Sequence, residues 1–198
     1  MNIIKLDSAV RYGANTYVII NDGRAAVVDP TLPYEDACAA IPSDVTFDTI
    51  ILTHAHFDHM LFLEAWKRDT GAELLIGKGD EDKLTDAYGN CSTIFRRAPL
   101  RYSGEYRIIE DGEQISLSDA RITVMALPGH TEGSIALSTD AGLIVGDTAF
   151  GPGVYGRTDL PGGSYHRLLD SLMKLRELPE NTLCYPGHGE KFILKEII

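Results

Sequence analysis

Cysteine is scarce in this chain and carries no pairing pattern: Cys38, Cys91 and Cys184 are odd in number, widely spaced and form no C-x-x-C motif. That spacing argues against a disulfide framework and predicts buried, reduced thiols. Long apolar runs are missing too, and none approaches the roughly 18 residues that a membrane span requires. Met1 to Val10 alternates apolar and polar residues and lacks the basic start and apolar stretch of a signal peptide, so a cytoplasmic protein is expected. Positive charge is in deficit, with 18 Lys and Arg against 29 Asp and Glu and a net charge of −11. A surface of that sign repels phosphate backbones and offers no basic stripe, which argues against a nucleic-acid partner and leaves a small molecule as the expected one.

What is present fits an ordinary globular protein, with 44% hydrophobic and 24% charged residues, no internal linker and no repeat. Residues 1–198 are expected to form one domain, long enough to bury about 70% of the surface its unfolded form would expose. Ile3 to Leu6, Thr16 to Asn21 and Ala25 to Asp29 read as strands, the last two joined by a hairpin turn at Asn21-Asp22-Gly23. A helix is predicted over Tyr34 to Ile41, a buried strand over Thr49 to Thr53, and a loop over His54 to Asp58. A second helix is expected from His59 to Arg68, stopped near Gly71, followed by a strand from Leu74 to Gly77. Asp80 to Ser103 is polar and irregular, and reads as a short helix with a mobile loop that acts as a lid and carries substrate selectivity. Strands follow at Arg121 to Leu127, Ser134 to Thr139 and Leu143 to Gly146. A Gly/Pro-rich loop from Gly151 to Gly163, an amphipathic helix from Ser164 to Leu178 and a strand from Thr182 to Tyr185 complete an α/β sandwich.

The strongest feature is T-H-A-H-F-D-H, which puts His54, His56, Asp58 and His59 directly after a buried strand. In an extended segment His54 and His56 point the same way, because side chains alternate with period two, so both imidazoles can reach one ion. Asp58 and His59 sit where the chain turns into a helix and can face a second ion beside the first. Three further segments place a ligand-type residue where a strand gives way to a loop: Pro128-Gly129-His130, Gly146-Asp147-Thr148 and Pro186-Gly187-His188. Pro-Gly before a histidine allows a tight turn that points the imidazole back toward a pocket. Any one of these segments alone is an ordinary turn; together with the first cluster they complete two ion sites.

These segments resemble the metallo-β-lactamase superfamily, and in particular its small glyoxalase II-like (hydroxyacylglutathione hydrolase-like) hydrolases. The resemblance runs over nearly the whole chain, from Asp29 in V-V-D-P through the H-x-H-x-D-H box, P-G-H-T, G-D-T and P-G-H-G. It implies a four-layer αββα sandwich. Carried over residue by residue, it implies that His54, His56 and His130 bind one metal, that Asp58, His59 and His188 bind the other, and that Asp147 bridges both. Asp29 matches an aspartate from which a carboxylate can orient a metal-bound imidazole. The cofactors implied are two divalent ions, zinc by default, although a donor set of nitrogen and oxygen without cysteine also admits iron or manganese.

The activity that follows is metal-dependent hydrolysis. A bridging carboxylate holds two ions about 3.5–4 Å apart, so that one water touches both and loses its proton near neutral pH. Asp58 is the candidate catalytic carboxylate, orienting that water or relaying a proton to the leaving group. The loop G-R-T-D-L-P-G-G, Gly156 to Gly163, resembles that of short glyoxalase II-like proteins. It makes a thioester such as S-lactoylglutathione the expected substrate, with Arg157 meeting a carboxylate of the thiol. Two departures from the full-length enzymes, the missing C-terminal helical region after His188 and the absence of an aromatic after Arg157, keep another thiol, a lactone or a small ester open. A mono-iron persulfide dioxygenase shares the G-R-T-D loop but carries P-A-H-D where this chain has Pro186-Gly187-His188-Gly189. Secreted β-lactamases of the fold use cysteine near the position of Asp147. A metal-binding sensor without turnover is the alternative from another class. Gly151 to Gly156 matches G-x-G-x-x-G, but no helix opens after it, and a dinucleotide is not expected.

Overall fold

The computed structural model of the chain describes residues 1–95 and 97–197. The first half is a meander that turns parallel. β1 (Asn2–Leu6), β2 (Thr16–Asn21) and β3 (Arg24–Val28) pair antiparallel. At the tip between the last two, Asp22 and Gly23 take φ of 46° and 72°, the pair of positive angles that lets a two-residue hairpin follow the strand twist. The chain then crosses over through α1 (Tyr34–Ala40) to β4 (Thr46–Leu52) and through α2 (Leu63–Thr70) to β5 (Glu73–Gly77). With β6 (Arg107–Ile109) these strands extend the sheet in parallel, in the order β1-β2-β3-β4-β5-β6.

The second half builds a matching sheet. β7 (Gln114–Leu117), β8 (Ala120–Ala126), β9 (Ile135–Thr139) and β10 (Gly142–Gly146) pair antiparallel. A short ribbon of β11 (Ala149–Gly151) and β12 (Val154–Tyr155) leads to α3 (Tyr165–Leu175), whose first turn Ser164 caps by accepting from the Arg167 N–H. β13 (Leu183–Pro186) returns parallel to β10, and β14 (Phe192–Ile193) closes that edge.

Period-two alternation sorts side chains into three apolar layers. Along β4, Ile50 and Leu52 enter the layer under α1 and α2 with Val18, Val27 and Trp66. Ile51, between them, enters the layer that joins the two sheets, with Tyr17, Ile19, Leu75, Leu137 and Ile144. On β10 the neighbours of Ile144, Leu143 and Val145, face α3 and meet Leu175. The result is the expected four-layer αββα sandwich, with both sheets presenting loops at one end, where the ligand-type residues lie.

Three expectations need correction. The helix expected from His59 starts only at Leu63, because Phe57–His59 forms a 3-10 turn and His59 is drawn down onto Asp29. Among the described residues of Asp80 to Ser103 there is no α-helix, only a 3-10 turn at Glu81–Leu84, and much of the stretch is stitched into the body of the protein. Asn90 donates to the carbonyls of Lys83 (3.1 Å) and Leu100 (2.9 Å), and Ser92 donates to that of Ala87 (3.0 Å), so part of this stretch is bonded internally rather than free loop. The short strands β6, β7, β11, β12 and β14 escaped the sequence pattern, because runs of two to four residues carry too little alternation to register. Among the described residues no helix is long and apolar enough to cross a membrane.

The layer under α1 and α2 is organised by Trp66, which is fully buried. Its ring meets Phe47 at 4.9 Å and Tyr34 at 5.1 Å, both edge to face, and its Nε1 donates to the Leu32 carbonyl at 2.9 Å. Trp66→Ala is expected to destabilise the fold by about 3–5 kcal/mol, read as a lower urea midpoint with an unchanged slope.

Candidate metal centre

Each ligand-type residue is delivered by the end of a strand, and each delivery is fixed by polar contacts that the local sequence supplies. Asp29 follows β3 with φ 53°. Its Oδ1 accepts from the Thr53 N–H (2.8 Å), while Oδ2 accepts from Thr53 Oγ1 (2.7 Å) and from His59 Nδ1 (2.8 Å). Because a carboxylate can only accept, His59 presents its Nε2 to the centre, 3.3 Å from Asp147 Oδ1. His130 is oriented the same way: its Nδ1 donates to the Arg157 carbonyl at 2.8 Å, which turns Nε2 inward.

The two Pro-Gly-His turns work for different reasons. Gly129 takes φ 145°, a conformation that glycine adopts without strain. At Gly187 the issue is space, since a Cβ there would lie 2.0 Å from Asp147 Oδ1. The loop carrying His188 is clamped by two residues from the start of β2 and the segment before it. Tyr17 donates its hydroxyl to the Pro186 carbonyl (2.6 Å), and Asn15 Nδ2 donates to the carbonyls of Pro186 (2.9 Å) and Gly189 (3.0 Å).

All seven expected ligands converge. Three overlapping groups could each hold a metal ion: His54, His56 and His130; His54, His59 and Asp147; and Asp58, His59 and His188. In the first, His56 Nδ1 lies 3.1 Å from His54 Nε2 and 2.9 Å from His130 Nε2, and all three rings are buried. In the third, His188 Nε2 lies 3.4 Å from Asp58 Oδ2, and both residues are partly open to solvent. Asp147 stands between, its Oδ2 3.6 Å from both His130 Nε2 and His188 Nε2. The first group is therefore the more deeply buried and the third the more exposed.

Electrostatics favour a cation in this place. Burial lowers the pKa of His54 and that of His56, the latter to about 3, with neighbouring imidazoles acting in the same sense, so both rings offer lone pairs. Burial also opposes charge on His59, yet Asp147 and Asp29 outweigh it and hold that ring's pKa well above the usual histidine value. Burial would raise Asp147, but His59 and then His130 and His188 keep it below the ordinary carboxylate range. Two carboxylates facing the one ring make this a place where positive charge is stabilised. His59 Nε2 and Asp147 Oδ1 are in addition buried without any hydrogen-bond partner, which natural interiors rarely tolerate. The residues present thus fit a pair of metal ions by donor type, convergence and unmet polar demand.

The centre forms the floor of a pocket of about 850 Å³. Phe57, Phe95, Phe150 and Tyr155 give it aromatic walls, and Arg97 and Arg157 bring positive charge to its rim. Arg157 is where the sequence reading expected it, but its guanidinium is already paired twice with Asp159, at 2.7 Å each. Arg97 lies in the same wall and makes no ion pair among the described residues. Tyr12, Phe95 and Arg97 come from irregular segments whose meeting no periodicity announces. Asp80 is a further residue missed: fully buried, it joins the loops of His54/His56 and His130. His166, the one histidine outside the seven ligand-type residues, is exposed on the first turn of α3.

Comparison with known proteins agrees with this geometry. The sequence profile of the Metallo-beta-lactamase superfamily matches residues 9–188. The hydroxyacylglutathione hydrolase of Rhodospirillum rubrum is 34% identical over 168 residues, covering 84% of this chain but 57% of that protein. Among solved structures, the BLEG-1 B3 metallo-beta-lactamase superposes with a TM-score of 0.89 at 27% identity, covering 98% of this chain and 95% of the other. TTHA1623, crystallised in a di-iron-bound form, gives 0.82 at 26% identity over 98% and 96%. With its histidines and aspartates gathered between two sheets of this topology, and matched over almost its full length, the chain belongs to the metallo-beta-lactamase superfamily.

Proposed function

We propose that the protein is a binuclear metal-dependent thioesterase, with residues 1–198 acting as one catalytic domain. The observation that carries this reading is the convergence of seven ligand-type side chains, with buried atoms lacking partners, on the floor of an open pocket. His54, His56 and His130 would hold one ion, Asp58, His59 and His188 the other, and Asp147 would lie between them. Zinc is the default occupant; a nitrogen and oxygen donor set also accepts iron or manganese, and the di-iron form of TTHA1623 makes iron the named competitor. The free cysteines Cys38, Cys91 and Cys184 support a reducing compartment such as the cytoplasm.

When bound, the ions would supply Lewis acidity, lowering the pKa of a water and drawing charge from the acyl carbonyl. The rest of the work falls to the chain itself. Asp58 stands at the open half with an accepting carboxylate, placed to take the proton of the attacking water and pass it to the departing sulfur. Asp29 fixes the ring of His59, and the Arg157 carbonyl fixes that of His130. Phe57, Phe95 and Phe150 line the pocket beside the centre and would pack against the acyl group. The likeness to a hydroxyacylglutathione hydrolase supports a thioester such as S-lactoylglutathione, and the rim arginines suit an acidic thiol arm. The likeness to a B3 metallo-beta-lactamase makes a β-lactam amide the second reading.

Elemental analysis of the purified protein should find about two divalent ions per chain. Removing them with a chelator should abolish hydrolysis of S-lactoylglutathione and other acyl-thiols, and adding metal back should restore it. A β-lactam turned over in place of every thioester would replace the first reading by the second. Asp147→Asn and His56→Ala should each lower turnover by at least about 100-fold while far-ultraviolet circular dichroism stays unchanged; a near wild-type rate would refute the ligand assignment. Gly187→Ala should act like Asp147→Asn, because the added methyl occupies the place of the Asp147 carboxylate; its check is metal content measured alongside rate.

A further inference from the structure

We propose that Asp80 is a positioning residue that sets the geometry of only one half of the centre, the His54, His56 and His130 group, a reading that rests on the metal assignment above. Those three rings come from two different sheets: His54 and His56 follow β4, and His130 follows β8. Asp80, three residues after β5 ends at Gly77, reaches both loops from the side. Its Oδ2 accepts from the Ala55 N–H (2.9 Å), the peptide between His54 and His56, and from Thr131 Oγ1 (2.8 Å), next to His130. Its Oδ1 accepts from the Gly133 N–H (3.0 Å) and from Lys83 Nζ (2.6 Å). The carboxylate touches no ligand atom; it fixes the backbone that carries three of them.

The chemistry requires a carboxylate at this position. The partners include two backbone N–H groups and an ammonium, none of which can accept, and they divide between both oxygens. An asparagine would have to turn its NH2 toward Ala55 or toward Gly133, leaving two donors face to face in either orientation. Lys83 offsets the buried charge and is itself almost wholly buried, so the pair is closed off from solvent. No comparable link runs from Asp80 to Asp58, His59 or His188. His59 is held by Asp29, and the loop of His188 by the Asn15 and Tyr17 clamp. Loosening the Asp80 contacts should therefore weaken one site and spare the other, by the 10- to 100-fold that loss of an orienting partner typically costs in metal affinity.

The test is titration of the metal-free full-length protein with Co²⁺ against a competing chelator, read by bound cobalt per chain and by visible absorption. Wild type should take two equivalents. Asp80→Asn should keep one with wild-type affinity and bind the other 10- to 100-fold more weakly. Since that change strands the Lys83 ammonium, Asp80→Asn/Lys83→Met repeats it without the leftover charge, and the same split is expected. His188→Ala should weaken the opposite site, distinguished by its cobalt spectrum. Equal weakening of both sites, or two undisturbed equivalents in a folded Asp80 variant, would overturn the proposal. Two tight cobalt ions in a wild type that hydrolyses nothing would defeat the thioesterase reading and leave the role of Asp80 standing, because that role is read from binding alone.

Discussion

Everything at the working end of this protein follows from burying the Asp147 carboxylate among imidazoles where the two sheets meet. A buried charge is tolerated only when opposite charge or donors surround it, and Asp147 lies within 3.6 Å of nitrogens from His59, His130 and His188. Those rings reach it from three loops in two sheets, so the sheets can pack in only one way that satisfies it. The glycine at position 187 is part of the same constraint, because any side chain there would take the carboxylate's space.

Around this point the polar scaffold divides into supports with separate tasks. Asp29 bonds directly to an imidazole, Asp80 acts through peptide groups, and Asn15 and Tyr17 hold a loop by its carbonyls. Each consists of hydrogen bonds between groups far apart in sequence, and each is buried, where such bonds are strong and leaving a partner unmet is costly. The buried group around His56 and the more exposed group around His188 differ in solvent access, and Asp58 faces the pocket where an acyl group would arrive.

The protein's negative surface does not contradict an anionic substrate. The field inside the pocket is set by what lies within a few ångströms, and screening removes distant surface charge beyond about 8–10 Å. Arg97 and Arg157 are the cations on the rim, and Asp159 already neutralises the second, which shifts the attraction for an anion toward Arg97.

How much of this was legible beforehand depended on the distance over which each signal acts. Alternation along β2 and β4 and the Asp22-Gly23 hairpin are local patterns that located the longer strands; the H-x-H-x-D-H box with the strand-end segments of His130, Asp147 and His188 pointed to the seven ligand-type residues, and the four-layer order came from the family resemblance. Two- to four-residue strands such as β6 and β14 exist only because a neighbouring strand offers them hydrogen bonds, so their own sequences say little. The late start of α2 at Leu63 has the same origin, since the pull of Asp29 on His59 overrides a helical pattern beginning at His59. By itself the sequence determined which residues can bind metal and which faces are apolar, because those properties belong to side-chain chemistry and to spacing along one strand. Only the tertiary structure decided that Asp80, Asn15 and Tyr17 serve the centre and that Arg157 is already paired, because hydrogen bonds and ion pairs depend on distances in space that folding alone creates.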